Sequence, residues 1–159
     1  MNLVPTKFFV SSGSSVSTVS DLNAFDRALI NAGIGEQNLV LVSSIIPENA
    51  KQIDRVKLSM GAITHCVLSQ MRGFEGETIS AGIAYAYRKD NRGGYVAESH
   101  LHGSGESLKA ELQRKIWEIA KIRRVEITDV NFVIEELEVP ANHYGCCIAS
   151  LVFTDYDES

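Results

Sequence analysis

The sequence predicts an α+β domain in which helices cover a largely antiparallel sheet system. Two segments, near residues 20–33 and 107–123, carry helical periodicity, and the chain around them reads as strand-like runs broken by Gly, Pro and Asn. The 159 residues are 45% hydrophobic and contain no internal repeat, low-complexity tract or linker. A chain of this length buries roughly 70% of its unfolded surface, enough for one core.

Lys7-Phe8-Phe9-Val10 reads as a short strand running into a loop, because the uncharged stretch from Phe8 to Ser20 holds six serines. Ser20 then suits a helix N-cap, Asp21 the first turn and Gly33 the C-terminal stop. Leu22, Phe25, Leu29 and Ile30 supply the apolar face. Gly33-Ile34-Gly35 is a turn, since two glycines in three residues favour neither helix nor strand. Asn38 to Val42 follows as a strand whose unbroken apolar run suggests burial on both faces. Pro47 should end regular pairing. Further strands are expected at Ala62–Met71, Thr78–Arg88 and Gly94–His102. A second helix over Ser107–Arg123 places Leu108, Leu112, Ile116, Ile119 and Ala120 on one face. Val125–Val139, with interruptions, and Tyr144–Phe153 close the domain before an acidic tail, Asp155-Tyr156-Asp157-Glu158-Ser159.

Composition excludes several functions. Twenty Asp and Glu against 15 Lys and Arg give a net charge of −5, the wrong sign for a nucleic-acid partner. The one basic cluster, Arg114, Lys115, Lys121, Arg123 and Arg124, is offset by Glu111 and Glu118 and reads as a solvated helix face. The longest stretch without charge, Val139 to Thr154, spans 16 residues and includes Pro140, Asn142 and Gly145, short of the ~18 apolar residues of a membrane span. With no targeting segment to read, and with Cys66, Cys146 and Cys147 best taken as reduced thiols, a cytoplasmic location is expected. The chain is also too short for a separate cofactor-binding domain beside a substrate domain. Any enzymatic chemistry must therefore come from few parts.

Three features could carry it. At ~100° per residue Asp26 lies about 40° from Leu22, inside the apolar stripe of the first helix. A carboxylate there needs either an internal ion pair or a cationic ligand. On the strand 94–102, Glu98, His100 and His102 share one face. That face is either solvated or a set of zinc or iron ligands, with His65 or His143 as a fourth. Ser43-Ser44 at a strand end is by itself an ordinary turn. No Gly-x-Ser-x-Gly elbow, dinucleotide fingerprint or phosphate loop accompanies these residues: Asn38 stands where the third glycine would fall after Gly33-Ile34-Gly35, and Gly103-Ser104-Gly105 lacks a lysine.

The order of segments is more specific than any one of them. Asp26, Asn31-Ala32-Gly33-Ile34-Gly35, the block Asn38 to Pro47 with its serine pair, Met60-Gly61-Ala62 and Ile79-Ser80-Ala81 together resemble the archaeal-type pyruvoyl-dependent arginine decarboxylases, across nearly the whole chain. The resemblance implies a four-layer α/β/β/α sandwich and a trimer of protomers with active sites between them. It implies a proenzyme cut after Ser43 into residues 1–43 and 44–159, with Ser44 becoming a covalent pyruvoyl group. Arginine would react with that group through a Schiff base and leave as agmatine and CO2, feeding polyamine synthesis. By the same resemblance Glu98 is the proton donor and Asn38 the amide that assists cleavage. Asp26 holds the guanidinium, and Leu29, Gly35, Gln37 and Ile45 line the substrate pocket. Asp26, Leu29 and Glu98 are then not expected to serve one site from one chain. Two features depart from the pattern: the pair His100 and His102, and Gln37, where a smaller apolar residue is familiar. The alternatives are a metal-dependent hydrolase using Glu98, His100 and His102, or a non-enzymatic trimeric binding protein.

Overall fold

The computed structural model describes residues 2–158; Ser159, the last residue of the expected acidic tail, lies outside the described residues. In chain order the elements are β1 (Leu3–Ser17), α1 (Asp21–Asn31), β2 (Asn38–Leu41), β3 (Ile45–Ile46), β4 (Lys51–Gln52) and β5 (Ile63–Phe74). They continue with β6 (Thr78–Tyr87), β7 (Gly94–Leu101), α2 (Gly105–Arg123), β8 (Asn131–Glu138) and β9 (Tyr144–Glu158). One sheet has the order β2-β5-β9-β1-β4 and the other β3-β7-β6-β8. All pairings are antiparallel except β1 with β4 and β2 with β5.

The two sheets pack face to face, with Phe8, Val67, Leu151 and Phe153 of one meeting Ile46, Ile83, Tyr85 and Val96 of the other. Helix α1 covers the outer face of the first sheet, where Ala24 and Ala28 join Phe9, Cys146, Ile148 and Val152. Helix α2 covers the second through Leu108, Leu112, Ile116 and Ala120 against Ala84, Ala86 and Ala97. The result is the α/β/β/α sandwich that the resemblance implied. Both helices are capped as the sequence suggests. Ser20 Oγ accepts from the Asn23 amide at 3.1 Å, and Ser104, within the expected turn, does the same for Ser107 at 3.1 Å.

Four expectations are overturned. The serine-rich stretch is strand, not loop: β1 pairs with β9 from Leu3 opposite Glu158 to Ser17 opposite Tyr144. Long-range pairing satisfies the backbone whatever the local preference. The small side chains have a use there, since Gly13 lies directly beneath α1, close to the Ala28 carbonyl, and Ser12 Oγ donates to Glu135 Oε1 on the facing sheet at 2.8 Å. The acidic tail likewise continues β9 through Glu158. Strand β2 is an edge strand rather than a doubly buried one, with Val40, Leu41 and Val42 exposed. Helix α1 buries the alanine stripe and leaves Leu22 and Ile30 exposed at 61% and 48%. Asp26 is therefore exposed as well, because Ala24 and Ala28, and not Leu22, face the sheet.

Candidate active site

Ser43 and Ser44 occupy the point where the chain leaves one sheet for the other. The Val42 amide still donates to the Cys66 carbonyl of β5 at 2.9 Å, while the Ser44 carbonyl already accepts from the Val96 amide of β7 at 2.9 Å. Ile45 and Ile46 then pair with Tyr95 and Gly94, and Pro47, which has no amide hydrogen to donate, follows the end of β3. The peptide between the two serines thus spans two anchors in different layers.

A cavity of about 460 Å³ opens beside it, lined by Val42, Ser43, Ser44, Val67, Val96, Ala97 and Glu98, with Lys115, Glu118, Ile119 and Ile122 from α2. Glu98 reaches this cavity because β7 alternates, placing Val96 and Glu98 on one face. Its carboxyl is open to the cavity, yet the surrounding walls strip it of water and push its pKa above the ordinary glutamate value, against the pull of His100 and Lys115. Lys115 Nζ is held by the Glu98 carbonyl at 3.1 Å and by Ser99 Oγ at 3.0 Å, which keeps its charge beside the carboxyl without a direct pair. Lys115 and Glu118, expected on a solvated face, line the cavity instead. The signal that marks them is their i, i+3 spacing next to the apolar stripe, on the side that overhangs β7.

The remaining predicted residues fall elsewhere. Gly35 and Gln37 line a second cavity of about 470 Å³ with Ile30, Arg55, Leu58 and Met60. Gln37 Nε2 donates there to the Leu58 and Ser59 carbonyls at 3.2 Å each. Leu29 lies half-buried in the α1 packing, and Asp26 is exposed one turn before Ile30. Asn38 Nδ2 donates to the Gly61 carbonyl at 2.9 Å. Five residues of extended chain put it roughly 16 Å from Ser43, too far to act on the Ser43 carbonyl of its own chain. Ile45 and Ser43 border a third cavity of about 380 Å³ with His65 and Tyr156. One chain therefore brings together Ser43, Ser44 and Glu98, and separately Gly35 and Gln37.

The metal reading is not supported. His102 Nδ1 lies 2.8 Å from Glu77 Oε2, His65 Nδ1 meets the Tyr156 hydroxyl at 2.8 Å, and His143 Nδ1 lies 2.8 Å from the Ala141 carbonyl. Among the described residues no three His, Cys, Asp or Glu side chains are grouped to hold a metal ion.

A sequence model of the family described as pyruvoyl-dependent arginine decarboxylase matches residues 7–158. The chain belongs to that family. It is 32% identical to the pyruvoyl-dependent arginine decarboxylase of Methanothermobacter thermautotrophicus, covering 96% of this chain and 99% of the relative. Identity to the enzyme of the same name from Methanopyrus kandleri is 33%, over 94% and 97%. For that of Methanocaldococcus jannaschii it is 35%, over 92% and 88%. Membership in the pyruvoyl-dependent arginine decarboxylase family implies a covalently bound pyruvoyl group. The Ser44 cavity fits one: a serine sits at a crossover whose flanks are anchored separately, next to a carboxyl whose pKa desolvation raises, with Val42, Val67, Val96, Ile119 and Ile122 among its walls. Among the described residues no helix is long and apolar enough to cross a membrane.

Proposed function

We propose that this chain cleaves itself between Ser43 and Ser44 and then decarboxylates L-arginine to agmatine in the cytoplasm. The observation that carries the reading is the shared cavity of Ser44 and Glu98 in a member of this family. For cleavage, Ser44 Oγ adds to the Ser43 carbonyl carbon, the C–N bond breaks, and the hydroxyl proton ends on the freed Ser44 nitrogen. Loss of the Ser44 α-proton with departure of the Ser43 carboxylate leaves a dehydroalanine. One water hydrolyses it, releasing ammonia and leaving the ketone. Anchors on both sides of the scissile peptide keep the new ends in place, because residues 1–43 include β1, which lies between β9 and β4. The three buried free thiols suit a reducing compartment.

The finished pyruvoyl group supplies the electron sink for loss of CO2. Glu98, whose carboxyl desolvation makes a weaker acid than an ordinary glutamate, returns a proton to the substrate's α-carbon. Val42, Ile119 and Ile122 narrow the access of water. Asp26, with Leu29, Gly35 and Gln37, comes from a neighbouring protomer. The support for this is that none of the four lines the Ser44 cavity and that exposed apolar residues, Leu22, Ile30, Val40, Leu41 and Met60, offer a surface which a trimer would cover. Asp26 takes the guanidinium with paired charge-assisted hydrogen bonds, Ile45 packs beside the reacting serine, and Asn38, through its bond to the Gly61 carbonyl, holds the start of the strand that leads to the cut.

Intact-mass measurement of the purified protein tests this. Two fragments corresponding to residues 1–43 and 44–159, the second lacking a free amine at its N-terminus, are expected, together with arginine-dependent CO2 release. A single full-length chain after native maturation would sink the reading.

A further inference from the structure

Cleavage needs a hydrogen-bond donor for the oxyanion that develops on the Ser43 carbonyl, and within one chain Asn38 is committed to Gly61. The other cavity that Ser43 borders, about 380 Å³, contains donors that the chain itself places near this residue. Its walls include Leu3, Pro5, Val42, Ile45 and Phe153, and its functional side chains besides Ser43 are His65 and Tyr156. Those two are tied together, with His65 Nδ1 2.8 Å from the Tyr156 hydroxyl and their rings edge to face at 5.5 Å between centroids. The strand positions explain the proximity: β5 carries His65 opposite Val40 of β2, and the next residue of β5, Cys66, accepts from the Val42 amide.

We propose that His65 is the hydrogen-bond donor to the Ser43 carbonyl during self-cleavage, and that Tyr156 is the positioning residue that sets its tautomer. Burial pushes the Tyr156 phenol above its ordinary pKa, so it keeps its proton and donates to Nδ1. The imidazole hydrogen is then on Nε2, free to serve the carbonyl. Ser44 Oγ attacks from the Glu98 cavity while the oxyanion is met from the His65 cavity. Only the scissile peptide and the Ser44 hydroxyl change covalently in this step, and His65 ends in its starting state.

The inference rests on the proposed self-cleavage, and the test separates the two. Newly synthesised protein is followed by denaturing gel for the rate of chain splitting, with thermal unfolding as a control for folding. His65→Leu fills the space without a donor and should slow splitting by about a hundredfold, the usual loss for one oxyanion donor. His65→Gln keeps an N–H and should recover at least tenfold of that. Tyr156→Phe keeps the ring packing and should slow splitting severalfold while the melting temperature stays near the parent's. Parent-like splitting in His65→Leu overturns the inference alone, and so does equal impairment of His65→Leu and His65→Gln. If His65→Leu fails to fold, parent-like splitting in Tyr156→Phe overturns the role of the pair. A parent that never splits overturns the self-cleavage reading itself.

Discussion

Gly13→Ala tests whether α1 sits where it does because β1 permits it. A Cβ at Gly13 would lie 2.6 Å from the Ala28 carbonyl oxygen and 3.0 Å from the Ala32 amide nitrogen. These two atoms form a hydrogen bond of 3.0 Å at the end of the helix. Both belong to the backbone, so no rotamer change relieves the overlap. The helix must retreat by about 0.8 Å to reach the 3.4 Å at which ordinary contact begins. A gap of that size forfeits a quarter to a half of the dispersion well for atoms facing each other across it, here Ala24, Ala28 and Ala32 against Phe9, Cys146, Ile148 and Val152. Overpacking of this kind costs ~1–3 kcal/mol, while loss of a glycine from the unfolded chain returns only ~0.4–1 kcal/mol. Overpacking wins, and a net destabilisation of roughly 1–2 kcal/mol corresponds to a melting temperature lower by about 2–8 °C in a chain of this size. Urea unfolding followed by circular dichroism, at one fixed protein concentration because assembly contributes to apparent stability, reads the difference. The same displacement moves Asp26 and Leu29, so KM for arginine should rise while splitting at Ser43 proceeds. A variant within about 0.5 kcal/mol of the parent, with an unchanged KM, would refute the close approach of β1 and α1 as the determinant of helix position.

Glu98→Gln should leave chain splitting intact and lower kcat by ~10²–10⁴, the range for loss of a general acid; normal turnover would remove Glu98 from the mechanism. Because desolvation raises the Glu98 pKa, the parent should hold its acid form to higher pH than an ordinary glutamate. Its kcat should then fall as pH rises through that raised value, a limb absent from the pH profile of the Gln variant. Asp26→Asn should raise KM for arginine by roughly 10–100-fold, since a charge-assisted hydrogen bond is worth ~1.5–3 kcal/mol, without slowing cleavage. Failure of cleavage with arginine affinity retained would refute the assigned role.

Much of the site was legible in order along the chain and little of it in space. The serine pair before Pro47, Glu98 and Asp26 are recognisable through the order of segments that carries the family resemblance, since each by itself also reads as an ordinary turn, a polar strand face or an ion pair. Helix α2 was readable from its stripe, and so were both capping serines, since caps and periodicity are local. Strand β1 was not. Ser11, Ser12, Ser14 and Ser15 favour a loop locally, and only the antiparallel partner β9, more than a hundred residues away, converts them to strand. The same holds for α1, where hydrophobicity alone chose Leu22 and Ile30 for the core. The sheet instead accepts small alanines, because it approaches at backbone distance over Gly13.

Family and the pyruvoyl chemistry that it implies therefore follow from the sequence by itself, because they depend on which residues are present and in what order. Tertiary structure alone decided that the Ser43–Ser44 peptide is the crossover between two sheets, that Ser44 and Glu98 share a cavity roofed by α2, and that Gly35 and Gln37 line a different one. It also decided that His65 and Tyr156 meet in a cavity that Ser43 borders. The physical reason is that strand pairing and sheet stacking bring together residues far apart in the chain, 91 positions for His65 and Tyr156 and 123 for Ser12 and Glu135, and no local propensity encodes a contact between chain segments that meet only in the folded core.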